Sequence, residues 1–148
     1  MELGKMNLID YIKDLKANSR LLPEAEIKSL MRGIFEAVAY IHKCGFLHWD
    51  IKPENMMLVG DMWKLVDFGT VKNLGREQER FERGEIKNLN FTDYVSTWWY
   101  RAPECILKVP SYGPEIDVFA LGCVLAELFR LRPLFHGTSG MDQLKQIF

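Results

Sequence analysis

The sequence has few cysteines and no long hydrophobic run, and both features narrow the class of protein. Its 148 residues include only three cysteines, an odd number with irregular spacing that does not suit a disulfide framework. We therefore expect Cys44, Cys105 and Cys123 to be buried thiols of an intracellular protein, either cytoplasmic or nuclear. The longest apolar run, from Val118 to Ala126, is too short to cross a bilayer. No membrane partner is expected.

An excess of one sign of charge is also missing. The chain has 19 lysines and arginines against 20 aspartates and glutamates, a net charge of -1, and the two signs are interspersed. This pattern gives no basis for nucleic acid as a partner. With 48% hydrophobic and 26% charged residues, the chain matches one globular core, so it is a single domain or part of one.

Most of the secondary-structure signals in the sequence are helical. Pro23, followed by two glutamates, is a helix-start signal, and the helix it opens is predicted to run to Gly45. Apolar residues recur every three or four positions along it: Ile27, Leu30, Met31, Ile34, Val38 and Ile41. A shorter helix is predicted from Leu8 to Leu15, one that is apolar on nearly every face from Glu115 to Phe129, and another near Met141.

Strand and loop signals fill the remaining segments. Residues 55–66 read as two short strands around a Gly60-Asp61 turn, and residues 48–55 before them as a loop. No period holds from Phe68 to Thr97, and residues 76–85 read as a solvated loop. The predicted fold is mainly α, with a short β-hairpin beside the 48–55 loop.

That loop and the segment after the hairpin carry the reactive groups. The loop reads His-Trp-Asp-Ile-Lys-Pro-Glu-Asn and contains Asp50, Lys52 and Asn55, and Asp67 begins an Asp-Phe-Gly motif. Phosphoryl transfer requires a carboxylate beside the attacking hydroxyl, a cation near the transferred group and oxygen ligands for magnesium. These four residues supply all of these groups.

In these motifs the chain resembles eukaryotic protein kinases, and Lys52, two residues after Asp50, resembles the serine/threonine class. The resemblance implies a transfer of the ATP γ-phosphoryl group to a protein substrate. Asp50 would orient the substrate hydroxyl, Lys52 would contact the phosphoryl group, and Asn55 and Asp67 would hold Mg²⁺. Thr97 would assist by hydrogen bonding to Asp50 and Lys52. ATP and Mg²⁺ are the implied cofactors.

The segment that resembles the kinase activation segment indicates a subgroup of the family. Ala102-Pro-Glu resembles the end of that segment, and Thr92-Asp-Tyr94 resembles the Thr-x-Tyr pattern of MAP-kinase-like (CMGC) enzymes, including male-germ-cell-associated kinases. An upstream kinase acting on Thr92 or Tyr94 is a candidate partner. However, Trp49 and Trp98 occupy positions where these kinases carry arginines that bind the phosphate of the activation segment. We therefore expect weak or absent activation by phosphorylation of this segment.

The first residues resemble the segment from the gatekeeper through the adenine-binding hinge. On that alignment the backbones of Glu2 and Gly4 would bond adenine, and Met57 would lie beneath the ring. Residues 1–148 would then be a partial kinase domain, from the hinge to the start of helix G. The expected fold is a protein-kinase-like C-terminal lobe with the N-terminal lobe absent.

Two alternatives to an active kinase remain open at this point. The sequence has no Gly-x-Gly-x-x-Gly and no strand-borne lysine before the hinge, so we expect the isolated chain to be inactive. A catalytically silent, kinase-like binding module is the alternative function, and an unstable product with no role of its own is the other alternative. His42, Cys44 and His48 could suggest zinc, but no fourth ligand has suitable spacing; capping and core roles are expected instead. The sequence does not identify the protein substrate.

Overall fold

The computed structural model describes residues 4–84, 98–109 and 112–148 and shows a mainly helical protein with two small sheets. The helices are α1 (Leu8–Ala17), α2 (Glu24–Lys43), α3 (Leu74–Glu82), α4 (Pro103–Ile106), α5 (Glu115–Arg130) and α6 (Gly140–Ile147). The strands are β1 (Met6–Asn7), β2 (Phe46–Leu47), β3 (Met56–Val59), β4 (Met62–Leu65) and β5 (Lys72–Asn73). The mainly α fold and the short hairpin are confirmed.

The hairpin is formed by β3 and β4, which pair antiparallel from Met56 opposite Leu65 to Val59 opposite Met62. Gly60 in its turn has a φ of +62°, a conformation that glycine adopts without steric cost. β1 adds to the other edge of β3, which gives the order β1-β3-β4, and β2 pairs with β5 in a second sheet. The segment near the start of the chain is thereby fixed to the hairpin.

The long helix α2 provides the main core face, as its periodicity predicts. Its buried residues are Ile27, Leu30, Met31, Ile34 and Val38. They pack in one cluster with residues of α1, the hairpin and α5. Glu24 and Glu26 lie in its first turn, where carboxylates stabilise the positive end of the helix dipole.

The sequence prediction for α5 is only partly right. Ile116, Leu121, Val124 and other residues of the helix are buried, but Val118 and Phe129 are 56% and 51% exposed. One side of the helix is therefore uncovered within the described residues. No helix in the described ranges is both long and apolar enough to cross a membrane.

Two predictions are wrong. Most of the predicted loop at residues 76–85 is helical, because α3 extends to Glu82. Arginine, glutamate and glutamine are strong helix formers, and Arg83 pairs with Glu79 one turn earlier at 3.5 Å, so this segment forms a helix with little apolar periodicity. Cys44 is exposed because it lies at the C-terminal cap of α2, whereas Cys105 and Cys123 are buried as predicted.

Candidate active site

The loop at residues 48–55, which is the predicted catalytic loop, brings three of the predicted residues into direct contact. The Lys52 ammonium lies 2.7 Å from Asp50 Oδ2. Asn55 Nδ2 donates to the Asp50 carbonyl oxygen at 2.8 Å and to Asp50 Oδ2 at 3.0 Å. A 3₁₀ turn, Pro53–Asn55, brings the buried Asn55 side chain back towards Asp50. The loop thus presents a carboxylate, a cation and an amide as one hydrogen-bonded group.

The backbone of this loop is anchored by Asp117, a carboxylate of α5 that is 2% exposed. Its Oδ2 accepts from the His48 N–H at 2.8 Å, and its Oδ1 accepts from the Trp49 N–H at 3.0 Å. His42 Nε2 also lies 2.8 Å from Asp117 Oδ2. The three contacts join the end of α2, the start of α5 and the catalytic loop. The sequence does not indicate this role of Asp117, because the contacts that define it join residues about 70 positions apart.

His48 connects the loop to the segment after the hairpin. Burial lowers the pKa of its imidazole, with the nearby Asp117 carboxylate partly opposing the shift, so the ring is neutral at pH 7. Since the Val66 carbonyl oxygen, 3.1 Å from His48 Nε2, can only accept, the ring proton belongs on Nε2. Thr70 Oγ1 in turn donates to the His48 carbonyl oxygen at 3.1 Å.

Hairpin pairing brings the two predicted magnesium ligands to the same end of the sheet. Met56 lies opposite Leu65, and the Val66 N–H donates to the Asn55 carbonyl oxygen at 2.9 Å. Asp67, the next residue, has a φ of +64° and an exposed side chain whose Oδ1 accepts from the Gly69 N–H at 3.2 Å. Asn55 Nδ2 is occupied as a donor, so its amide offers an oxygen. An amide oxygen and an exposed carboxylate fit the ligand preference of Mg²⁺.

The predicted adenine residues are only partly described. A Cβ added to Gly4 would overlap Met57 Cγ, so the Gly4 backbone packs directly on that side chain. The Lys5 N–H donates to the Leu58 carbonyl oxygen at 2.8 Å. Glu2 and Thr97 lie outside the described residues, as do Thr92 and Tyr94.

Sequence reasoning missed a buried tyrosine–glutamate pair beneath the segment at residues 98–106. Tyr100 OH donates to Glu127 Oε2 at 2.5 Å, and these residues are 5% and 1% exposed. Burial raises the pKa of both groups, and the hydrogen bond from Tyr100 partly opposes the shift at Glu127. A glutamate within the otherwise apolar face of α5 was the signal available in the sequence, because buried acids require a partner.

The space beside Asp50 is small. A cavity of about 30 Å³ opens between the catalytic loop and residues 100–105, and Asp50, Lys52 and Arg101 contribute to its lining. A larger groove of about 880 Å³ lies between the hairpin and α2, and its lining includes none of the four reactive residues. Of these two spaces, the small cavity is therefore the one that predicted reactive residues line.

Comparison with known proteins gives a consistent result. A family model described as "Protein kinase domain" matches residues 1–148. The chain is 42% identical over 147 residues to the human serine/threonine-protein kinase MAK, 45% over 141 residues to a probable serine/threonine-protein kinase of Dictyostelium discoideum, and 41% over 141 residues to the rice cyclin-dependent kinase F-3. These alignments cover 99%, 95% and 95% of the chain but 21%, 25% and 29% of the relatives. The chain thus spans less than a third of their length. Because the family model matches the whole chain, this protein belongs to the protein kinase family, and the relatives it resembles are serine/threonine kinases of the MAK and cyclin-dependent (CMGC) type.

Proposed function

We propose that this chain carries the catalytic loop and magnesium site of an ATP-dependent protein serine/threonine kinase. The observation that carries the proposal is the joined group of Asp50, Lys52 and Asn55, whose contacts are 2.7–3.0 Å long. Phosphoryl transfer depends mostly on positioning and charge neutralisation, and these contacts fix the groups that would supply both. The 40–45% identity to named serine/threonine kinases supports the choice of acceptor.

In this proposal residues 1–148 correspond to the kinase domain from the hinge to the start of helix G, which is mostly the C-terminal lobe. The predominance of helices and the pairing of β1 with β3 support this assignment. The backbones of Glu2 and Gly4 would then bond adenine, and Met57 would form the floor of the site. Thr97 would contact Asp50 and Lys52.

Asp50 is proposed to orient the hydroxyl of a protein serine or threonine and to accept its proton as transfer proceeds. Lys52, already 2.7 Å from Asp50, would balance negative charge on the transferred group. Asn55 and Asp67 would hold Mg²⁺, which when bound neutralises charge on the ATP phosphates. The Asn55 bonds to Asp50 would then couple the metal ligand to the proton acceptor.

An activity assay of the native gene product that contains these residues tests the proposal. We expect Mg²⁺-dependent transfer of the ATP γ-phosphoryl group to serine or threonine in a peptide library. Asp50→Asn should reduce kcat by at least about 10²-fold, since it removes the proton acceptor. Asp61→Asn, an isosteric change at the exposed hairpin turn, is the matched control and should keep full activity.

A silent binding module remains the second candidate, because Trp49 and Trp98 depart from the family pattern and a Gly-x-Gly-x-x-Gly is lacking in these 148 residues. Equal incorporation by the parent and Asp50→Asn proteins would contradict the kinase proposal. Stable association with a kinase or its substrate without any phosphoryl transfer would then favour the binding module.

A further inference from the structure

Trp49, the residue before Asp50, has a backbone conformation that requires support. Its φ is +73°, in the left-handed region that bulky residues seldom adopt. The Trp49 N–H bond to Asp117 Oδ1 holds one side of this peptide. Because Asp50 is the next residue, any relaxation of the Trp49 backbone would reorient the carboxylate.

The side chain of Trp49 provides a second support that is apolar. Its ring centroid lies 4.4 Å from that of Tyr112, with an interplanar angle of 55°, so the two rings are in direct contact. Both rings pack against one buried cluster, which consists of Leu47, Ala102, Cys105 and Ile116. Leu74 and Phe119 pack on the same cluster.

This cluster joins parts of the chain on both sides of residues 85–97. Leu74 starts α3 before that segment, whereas Ala102 and Tyr112 follow it. The indole of Trp49 therefore packs against the same apolar cluster as residues from both flanks. An indole has one neutral N–H donor, and a phosphate on Thr92 or Tyr94 would need cations to order the segment by charge pairing.

We propose that Trp49 is a positioning residue that holds Asp50 through this apolar cluster, so that the geometry of the catalytic loop does not depend on phosphate in residues 85–97. The role rests on the proposed kinase function. It makes the activity constitutive with respect to phosphorylation of the Thr-x-Tyr segment. The Tyr112 ring packs directly on the indole and supports its orientation.

Kinetics of the native gene product test the positioning role. Trp49→Ala should lower kcat by about 10–100-fold, the size expected for misplacing a reacting group by about 1 Å, while KM for ATP changes by less than about threefold. Trp49→Phe should restore most of kcat because it keeps an aromatic ring against Tyr112. Trp63→Ala is the matched control: it removes another aromatic pair, with Tyr11 at 5.5 Å, and should leave kcat unchanged.

Phosphatase treatment tests the regulatory consequence. The activity of the parent protein should change by less than about twofold, whereas Trp49→Arg should become sensitive to phosphatase. A loss of about tenfold or more in the treated parent, for example through phosphate reading by Arg101, would overturn the proposal. So would full kcat in Trp49→Ala.

Hydrogen exchange separates failure of this role from failure of the proposed function. In Tyr112→Ala, the backbone amides of His48 and Trp49 should exchange faster than in the parent, while those of α2 should not change. Faster exchange without detectable phosphoryl transfer by any variant would support the contact and reject the kinase activity. Unchanged exchange at both amides would overturn the positioning role whatever the activity.

Discussion

Replacing Asp117 with asparagine tests how strongly the catalytic loop depends on one buried carboxylate. The two oxygens of Asp117 accept from the backbone N–H groups of His48 and Trp49 at 2.8 and 3.0 Å. An asparagine amide has one oxygen, so one of these N–H groups would face an NH₂ group instead. It would remain buried without an acceptor.

The expected loss follows from these contacts. A hydrogen bond to a charged group contributes about 1.5–3 kcal/mol, and leaving a buried donor unpaired costs about 1–3 kcal/mol. We therefore expect Asp117→Asn to lower the free energy of unfolding by about 2–3 kcal/mol. Asp117→Ala removes both acceptors and leaves His42 without its carboxylate, so a loss of about 3–5 kcal/mol is expected. Against a total of about 5–15 kcal/mol for an ordinary domain, either change is large.

Guanidinium unfolding followed by circular dichroism at 222 nm measures the loss. The midpoint should fall for Asp117→Asn and further for Asp117→Ala while the m-value is preserved, which indicates a change in stability and not in mechanism. The isosteric Asp61→Asn at the exposed turn should stay within about 0.5 kcal/mol of the parent. If Asp117→Asn matched Asp61→Asn, the anchoring role of Asp117 would be refuted.

Two further predictions concern buried titratable groups. Burial raises the pKa of Glu127 above its ordinary value of 4.5, so the folded state binds the proton on Glu127 more tightly than the unfolded state does. This proton binding stabilises the fold fully below pH 4.5, and the stabilisation is lost as the pH rises through the pKa of Glu127 in the folded state. Glu127→Gln should flatten that decline in a pH series of thermal melts; an unchanged slope would contradict the assignment. Burial also raises the pKa of Cys105 and Cys123 to about 12; at pH 8 only Cys44 should therefore react rapidly with Ellman's reagent, and denaturant should release the other two thiols. Rapid labelling of all three in the folded protein would contradict the described burial.

Local features of the chain were the most predictable. The apolar period of α2 predicted both its length and its buried face, because tertiary packing selects the face that the sequence makes apolar. The Gly60-Asp61 turn predicted the hairpin because glycine adopts the positive φ of this turn without steric cost. In contrast, α3 was missed because apolar spacing was used as the main criterion, and this helix is formed mainly by residues of high intrinsic propensity.

The long-range contacts that hold the predicted catalytic loop and Tyr100 could not be predicted from the sequence. Asp117 and Glu127 lie in α5, but their partners are in the catalytic loop and at Tyr100, and nothing in residue spacing specifies such contacts. The environment of Trp49 is a similar case. The sequence showed that an arginine of the family is replaced, whereas only the fold shows that its indole packs beside Tyr112.

The arrangement of these supports explains how a short loop can present reactive groups with fixed geometry. In the proposed active site Asp67 is exposed and Asp50 and Lys52 are partly exposed, as groups that meet a substrate would have to be, so solvent competes with the contact between Asp50 and Lys52. The groups that hold them, Asp117 and His48, are buried, where a hydrogen bond is stronger and an unmade one is costly. Misplacing the exposed groups would therefore require breaking buried contacts first. For this reason we expect catalytic geometry and folding stability to be coupled at Asp117 but to separate at residues that only meet the substrate.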